Sequence, residues 1–290
     1  MEKKTRLKRE RLKEGLWFSS FKAIACGVVV FLFLFLLILV VKGAGSISWE
    51  FLTQVPKEGM TRGGILPAII GTLWLGIGSV ILAFPMGVAL GIYLSYYASE
   101  NLFTRILRLS INNLAGTPSI VFGLFGLAVF VKALGFGVSI LSGILTLGLM
   151  VLPIIVRSTE EALRAVPKEF IEASFGLGAT KFQTIWHVAL PTAFGWILTG
   201  VILSLSRAAG ETAPILFTAA SFYMTRIPSS PFSETMALPF HIYALMTEGT
   251  NPEIHTKMAF GATLVLLFMV MCLSVLAIIE RQRLRKWKKW

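Results

Sequence analysis

Six long apolar segments limit what this chain can fold into. Each is about 18 residues long or longer, the length that an α-helix needs to cross roughly 30 Å of hydrocarbon. Of the 290 residues, 55% are hydrophobic and only 14% are charged, whereas about 25% of the residues of a soluble domain are charged. The sequence therefore predicts an all-α polytopic membrane protein and argues against a soluble enzyme. The predicted spans are Phe21–Val41, Leu66–Tyr97, Leu114–Lys132, Val138–Val156, Thr192–Ala220 and Met258–Ile279.

The net charge of +12 is concentrated at the two ends of the chain. Residues 3–22 include eight Lys or Arg, and residues 281–289 include six. Basic segments beside spans are typical of the cytoplasmic side of a membrane protein, so six spans predict that both termini are cytoplasmic. The charge has no accompanying aromatic–basic RNA motif or zinc-ligand spacing that would favour nucleic-acid binding. The first apolar segment is too long for a signal peptide and has no clear cleavage site, which indicates a retained span.

Few residues in the sequence are candidates for disulfide formation, nucleotide binding or metal binding. Cys26 and Cys272 lie in apolar segments, which argues against a disulfide framework. The sequence lacks the Gly-x-x-x-x-Gly-Lys-Ser/Thr pattern of nucleotide-binding loops. We therefore expect no nucleotide site and no cofactor in this chain. Small residues such as Gly87 and Gly91 predict close packing between helices. The histidines, which have no metal-ligand spacing, are His187, His241 and His255.

A polar segment at 157–191 lies between the fourth and fifth predicted spans. Pro167 can begin a helix there, because the N–H it lacks is not needed in a first helical turn. Gly176 and Gly178 can end that helix and allow a sharp turn, and a second helix can begin near 179–180. Merely crossing a bilayer does not require a loop with this pattern, so the segment predicts a docking surface for a soluble partner. The second helix is expected to present Phe182, Ile185 and Trp186 on one face.

Arg207 and Glu211 are four residues apart in the fifth predicted span, so they are expected to share one helix face. An arginine near the centre of a bilayer costs about 2.5–3.5 kcal/mol on insertion scales, so Arg207 is not expected to face lipid. Two interpretations stay open. The pair can be structural and neutralise itself within the bundle, or Arg207 can line a path for an anion while Glu211 competes for the guanidinium. Arg157, at the inner end of the fourth span, is a candidate second cationic position on such a path.

The polar segment resembles a motif of importer permeases of the ATP-binding cassette (ABC) class. It reads Glu172-Ala173-Ser174, then Gly178, then Val188-Ala189-Leu190-Pro191, and the family pattern is Glu-Ala-Ala, Gly and Ile-x-Leu-Pro. The resemblance implies that this loop contacts a cytoplasmic ATPase subunit. By the same resemblance, the residues that couple the two proteins are Glu172, Ala173, Gly178, Leu190 and Pro191.

Three further segments are similar to permeases of the PstA type, which belong to phosphate importers. They are Gly116–Gly126, Leu152–Glu160 and Ser206–Ala219. After Gly210-Glu211-Thr212 the chain continues with Ala213-Pro214, whereas the partner permease of the PstC type usually continues with Met-Ala. The resemblance is therefore to the PstA type.

This resemblance implies a type I, MetI-like ABC importer permease with six transmembrane helices and a cytoplasmic coupling helix. Such a protein is a multi-pass component of a prokaryotic cell membrane and imports inorganic phosphate without being an enzyme itself. Its implied partners are a PstC-type permease, an ATPase dimer that binds ATP and Mg²⁺, membrane lipid, and an extracytoplasmic phosphate-binding protein docking on the 221–257 loop. The expected division is a basic cytoplasmic segment (1–20), a first transmembrane helix with an outer loop (21–64), a permease core containing the 157–191 coupling loop (65–280) and a basic cytoplasmic tail (281–290).

Other functions stay open for the sequence alone. A permease for a related oxyanion, such as molybdate, sulfate or phosphonate, would need the same machinery. A passive anion channel could use Arg207 but would have no need of the 172–191 motif. A membrane-embedded enzyme would need a nucleophile–base set or metal ligands at membrane depth, and the sequence shows neither.

Overall fold

The computed structural model describes residues 2–249 and 251–286, and most of these residues are helical. Some helices continue into wider π-helical turns at Tyr93–Tyr97, Leu127–Ala133 and Ile185–Ala189. One short antiparallel ribbon pairs β1 (Pro56–Lys57) with β2 (Arg62–Gly63). The helices are α1 (Glu2–Gly43), α2 (Trp49–Thr53), α3 (Leu66–Ile92), α4 (Leu102–Gly116), α5 (Ser119–Gly126), α6 (Ile140–Arg164), α7 (Lys168–Gly176), α8 (Lys181–Thr184), α9 (Leu190–Gly210), α10 (Ala213–Thr218), α11 (Leu238–Thr247) and α12 (Pro252–Lys286).

The predicted all-α membrane fold is confirmed. Within the described residues, five helical segments are long and apolar enough to cross a membrane, and they correspond to α1, α3, α6, α9 and α12. The number reaches six if α4 and the segment Ser119–Ala133, which meet at an angle of 105°, together form one bent span.

The predicted third span, Leu114–Lys132, is wrong as a continuous helix. α4 ends at Gly116, and Thr117 is extended (φ −72°, ψ 133°). The residue before a proline is disfavoured in the helical conformation, so Pro118 forces the break. The apolar run continues through this proline, which is why hydropathy does not reveal the bend. The basic segment before the break, with Arg105 and Arg108, lies in α4, which begins after the N-cap residue Asn101.

Helices α3, α6 and α9 pack together at the centre of the bundle. Leu147 and Ile155 of α6 are at most 1% exposed there. Gly87 of α3 lies so close to Ile155 that a Cβ atom would be 2.6 Å from its Cγ2. Gly91, about one turn further, is equally close to Thr159. The predicted close packing at these two glycines is confirmed, since small residues let backbones approach where hydrophobicity gives no drive for association.

The connection between the fourth and fifth spans is shorter than the predicted 157–191. The sequence has no proline or glycine between Val156 and Pro167, so α6 continues to Arg164 before Pro167 ends it. After α7, the continuous helix that leads into the fifth span begins at Lys181. Arg157 therefore lies within a helix rather than in a loop. We call residues 165–186, which contain α7 and α8, the elbow.

Two of the predicted domain boundaries fall inside helices. α1 continues across residue 20, and α12 continues across residue 280. The division into 1–20, 21–64, 65–280 and 281–290 stays a prediction.

The 221–257 region lies at the opposite end of the bundle from the elbow. The Ile140 N–H, at the start of α6, donates to the Ser233 carbonyl at 2.9 Å. Helix α11 lies within this region and is largely buried, and the Leu238 N–H donates to Thr72 Oγ1 of α3 at 2.8 Å. Its exposed residues lie mainly in 222–234, 246–248 and 251–254, so a partner docking on this region would meet little of α11. We call this end of the bundle the far end and the opposite one the elbow end.

Candidate functional site

The elbow is a helix–turn–helix whose turn depends on one glycine. α7 follows Pro167 and ends at Gly176. Gly178 has a φ of +82°, in the left-handed region that favours glycine. α8 follows Thr180, whose side-chain oxygen accepts from the Gln183 N–H at 3.3 Å in a capping box. The predicted helix start, sharp turn and second helix are confirmed.

The elbow is fixed to the bundle through its buried side. Ser174 Oγ and Thr184 Oγ1 are 2.9 Å apart and join α7 to α8. Val166 packs with Ala189, at the end of the wide turn before α9. The first contact joins the two arms to each other, and the second holds the start of the elbow against the residue that leads into α9, so the elbow is not a loose loop.

Large apolar side chains cover the outward side of the elbow. Leu177 is 90% exposed. Phe182 and Trp186 are also exposed and stack on each other, with ring centroids 6.2 Å apart and planes 8° apart. Ile185, predicted on the same face, is 3% exposed and turns toward the bundle, so that part of the prediction is wrong. An apolar patch at the end of a bundle indicates contact with another protein.

The five predicted coupling residues fall into two groups. Glu172, Ala173 and Gly178 are exposed on the elbow. Leu190 and Pro191 are partly buried at the start of α9. The structure thus places three where a partner could touch them and two where the elbow joins the span. Their coupling role stays a prediction.

The second arm of the elbow, which contains α8, and the Arg207 region belong to one helical element. α8, the wide turn Ile185–Ala189 and α9 form a continuous 30-residue segment, Lys181–Gly210. A π-helical turn adds a residue to the ring closed by the backbone hydrogen bond but does not break the helix. Displacement of the elbow is therefore expected to move Arg207 as well.

Arg207 lies in the last turn of α9, and Glu211 lies just beyond the end of the helix. Arg207 Nε is 3.4 Å from Glu211 Oε1. The helix stops at Gly210 and Glu211 is extended (φ −78°, ψ 134°), so the expected shared helix face is wrong although the ion pair forms. The Glu211 side chain is 17% exposed, whereas that of Arg207 is 43% exposed. Because a guanidinium has five N–H donors, Arg207 can bind a second acceptor while it remains near Glu211.

Arg207 belongs to an exposed stripe along α9. The spacing of the stripe residues, at seven, four and three positions, places them on one helix face. An arginine that faced lipid at membrane depth would be costly, so this stripe is expected to face protein or water. The exposed residues of the stripe are Trp196, Leu203, Arg207 and Gly210.

Arg157 lies beside a cavity of about 200 Å³ between α4 and α6. Its Nη2 donates to Asn112 Oδ1 at 2.5 Å. A neutral amide leaves the positive charge of Arg157 uncompensated by that contact. The other charged residues that line the cavity are Arg108, Glu160, Glu161 and Arg164.

The two candidate arginines lie at different depths. Gly200 of α9 packs so tightly on Ser158 of α6 that a Cβ atom would be 2.3 Å from the serine Cβ. Arg207 is seven residues beyond Gly200, which at 1.5 Å per residue is about 10 Å nearer the far end. Neither Arg207 nor Glu211 lines the cavity at Arg157. The structure therefore does not bring the arginines together, and the predicted path role of each stays a prediction.

A charge cluster at the elbow end is missing from the sequence analysis. Glu160 Oε1 accepts from Arg164 Nη2 at 2.6 Å and also from Arg108 Nη1. The Glu160–Arg164 pair could have been found from its spacing of four within a helix. The contact with Arg108 could not, because it joins two different helices whose residues are 52 positions apart.

The chain resembles membrane components of ABC transporters in sequence. Residues 83–288 match the family described as binding-protein-dependent transport system inner membrane component. The probable ABC transporter permease YqgI of Bacillus subtilis is 33% identical over 278 residues, which cover 92% of this chain and 94% of that protein. The phosphate transport system permease PstA of Mycobacterium leprae is 40% identical over 210 residues, 72% of this chain and 67% of that protein. PstA of Pasteurella multocida is 35% identical over 270 residues, 92% of this chain and 94% of that protein.

The fold is also that of solved ABC transporter subunits. A chain of a bacterial ABC transporter involved in import of the acidic polysaccharide alginate aligns with a TM-score of 0.67 over 96% of this chain and 99% of that chain, at 15% identity. A chain of the MetNI methionine ABC transporter in an inward-facing conformation aligns with a TM-score of 0.62 over 76% of this chain and 95% of that chain, at 18% identity. At these identities the likeness concerns the fold alone, and it agrees with the MetI-like architecture expected from the sequence.

Proposed function

Because the chain belongs to the family of binding-protein-dependent transport system inner membrane components, we propose that it is the PstA-type permease subunit of an ATP-driven importer of inorganic phosphate. The substrate follows from relatives named as phosphate transport permeases, with up to 40% identity. One geometric observation supports a moving permease. The second arm of the elbow, with exposed Phe182 and Trp186, and Arg207 belong to the same continuous helix, Lys181–Gly210.

The elbow end faces the cytoplasm in this proposal, and both termini lie on that side. The support is the distribution of charge, because cytoplasmic segments of membrane proteins carry an excess of Lys and Arg. In addition to the basic termini, the elbow end holds Arg105, Arg108, Arg157, Arg164, Lys168 and Lys181.

Each partner has a candidate surface. The elbow, with exposed Leu177 and the stacked Phe182 and Trp186, fits a groove on an ATPase subunit, where ATP and Mg²⁺ would bind. The α9 stripe around Arg207 fits a PstC-type permease, so that the ion path runs between the two chains. The exposed 222–234 segment at the far end fits an external phosphate-binding protein.

Arg207 suits a phosphate ion for a reason of shape. A guanidinium donates two parallel N–H bonds to two oxygens of one phosphate. Glu211 lies close enough to compete for the same donors, so the ion would be held briefly rather than trapped. Arg157, about 10 Å nearer the elbow end, then offers the ion a second cationic position.

The direct test is uptake by the reconstituted complex of this chain, its partner permease, the ATPases and the binding protein. We expect radiolabelled phosphate to enter vesicles only with ATP. An excess of unlabelled phosphate should suppress uptake, while equal amounts of sulfate, molybdate or a phosphonate should leave it nearly unchanged.

Two results would contradict the proposal in different ways. Suppression by sulfate or molybdate as strong as that by phosphate would reassign the substrate to another oxyanion. Rapid downhill flux through this chain without any ATPase would make it a channel.

A further inference from the structure

Helix α4 has three distinct faces. Thr104 and Ile111 are buried against the bundle. A second face is exposed and apolar, and a third carries Arg105, Arg108 and Asn112. Because α4 meets the segment Ser119–Ala133 at 105°, it runs along the membrane surface if that segment crosses the bilayer. The exposed apolar residues are Leu102, Phe103, Ile106 and Leu109.

Contacts fix α4 at the level where spans α3 and α6 leave the membrane at the elbow end. Arg108 Nη2 donates to the Leu94 carbonyl, in the π-helical turn after α3, at 3.0 Å. Arg108 also pairs with Glu160, in the last part of α6. An amphipathic helix in this position lies where lipid headgroups meet acyl chains.

A groove of about 620 Å³ follows this helix and is both apolar and basic. Thr104 lines it and is buried, and its Oγ1 has no hydrogen-bond partner among the described residues. Arg105 also lines it, is exposed, and forms no ion pair within the described part of the chain. Glu100, at the rim, opposes an anion, so the groove residues carry two positive charges and one negative. The lining residues are Glu100, Asn101, Leu102, Thr104, Arg105, Arg108, Leu109 and Asn112.

We propose that the α4 groove binds an anionic phospholipid. The phosphodiester would lie near Arg105, with the Thr104 hydroxyl as a donor in reach, and an acyl chain would run along Leu102 and Leu109. A free phosphate ion would have no use for the apolar lining, whereas a lipid uses both parts of the groove. The assignment does not depend on the transported substrate.

The test measures lipid retained by the complete transporter complex in detergent, supplied with equal phosphatidylglycerol and phosphatidylcholine. We expect native mass spectrometry to show bound phosphatidylglycerol in clear excess. Arg105→Gln should weaken its binding about fivefold, because one basic residue near a membrane surface contributes a factor of that size. Arg62→Gln, at the far end, where the arginine side chain is 76% exposed, changes the net charge equally and should leave retention as in the native protein.

Four outcomes would overturn the proposal. They are equal retention of the two lipids by the native complex, unchanged retention in Arg105→Gln, an equal loss in Arg62→Gln, and displacement of the lipid by millimolar inorganic phosphate. Binding by the isolated chain but not by the complex would also count against it, because the groove would then be covered by a partner protein. A failure of phosphate uptake leaves this measurement unaffected, so the two proposals fail separately.

Discussion

Replacing Gly178 by valine is expected to leave the chain inserted in the membrane but to weaken its association with the ATPase by about 5- to 30-fold. A side chain here would meet no atom within 4 Å, so the cause is not a clash. It is the φ of +82°, which costs an L-residue about 1–2 kcal/mol. The native turn, in which the Gly178 N–H donates to the Phe175 carbonyl at 2.9 Å, would lose population. The apparent affinity for the partner falls by the same fraction.

Gly176 offers a matched control. It is also exposed with open space around it, but it lies within helix α7 and has no left-handed φ. Gly176→Val should therefore co-purify with the ATPase nearly as well as the native chain. Gly178→Asn should fall in between, since asparagine adopts the left-handed conformation more readily than valine. Native-like co-purification of Gly178→Val would remove the assignment of the elbow as the coupling surface.

Arg207→Gln is expected to reduce phosphate uptake by about 100-fold while the complex still assembles. The change removes the charge and the bidentate donors but keeps a polar side chain, and a hydrogen bond to a charged group contributes about 1.5–3 kcal/mol. Arg207→Lys should recover only part of the activity, because an ammonium cannot reproduce the planar fork of a guanidinium. The measurements are ATP-dependent uptake and the yield of intact complex.

The structural interpretation of the Arg207–Glu211 pair makes a different prediction. If the pair only neutralises itself, Arg207→Gln should lower the yield of complex by leaving Glu211 partly buried without a partner, and adding Glu211→Gln should restore both yield and uptake. Arg283→Gln serves as the control, since that arginine also pairs with a glutamate, Glu280, but is 69% exposed. Native uptake in Arg207→Gln would exclude a role for this residue in the path.

Sequence signals were most informative where single residues act on the local backbone. Pro167, Gly178 and the Thr180–Gln183 capping box specify the elbow, and each acts within a few residues. Pro118 can kink a span, but the 105° break there was not predicted, because hydropathy averages over a window in which one proline has little weight. Ile185 was misassigned because a face of a helix can be named from spacing, but which face is buried depends on neighbouring helices.

For the candidate ion path too, the sequence predicts contacts between nearby residues but not contacts between distant helices. The spacing of Arg207 and Glu211 was enough to predict that they pair, although the helix ends between them. The partner of Arg157 was out of reach, because Asn112 is 45 residues away and belongs to a different helix. Pairings between distant segments depend on how the spans pack, and similar apolar compositions do not distinguish one packing from another.

The tight contact between Gly200 and Ser158 suggests a pivot. Lys181 is 19 residues from it on one side and Arg207 seven on the other, so the two arms are about 29 Å and 10 Å long. If the helix Lys181–Gly210 rotates about this contact, its two ends move in opposite directions. A movement of about 3 Å at Lys181 toward the bundle axis then moves Arg207 about 1 Å away from that axis. One tilt of this helix would then narrow the ion path at one end of the bundle and widen it at the other. Spin-label distances that increased at both ends of the helix, or decreased at both ends, would rule out this tilt.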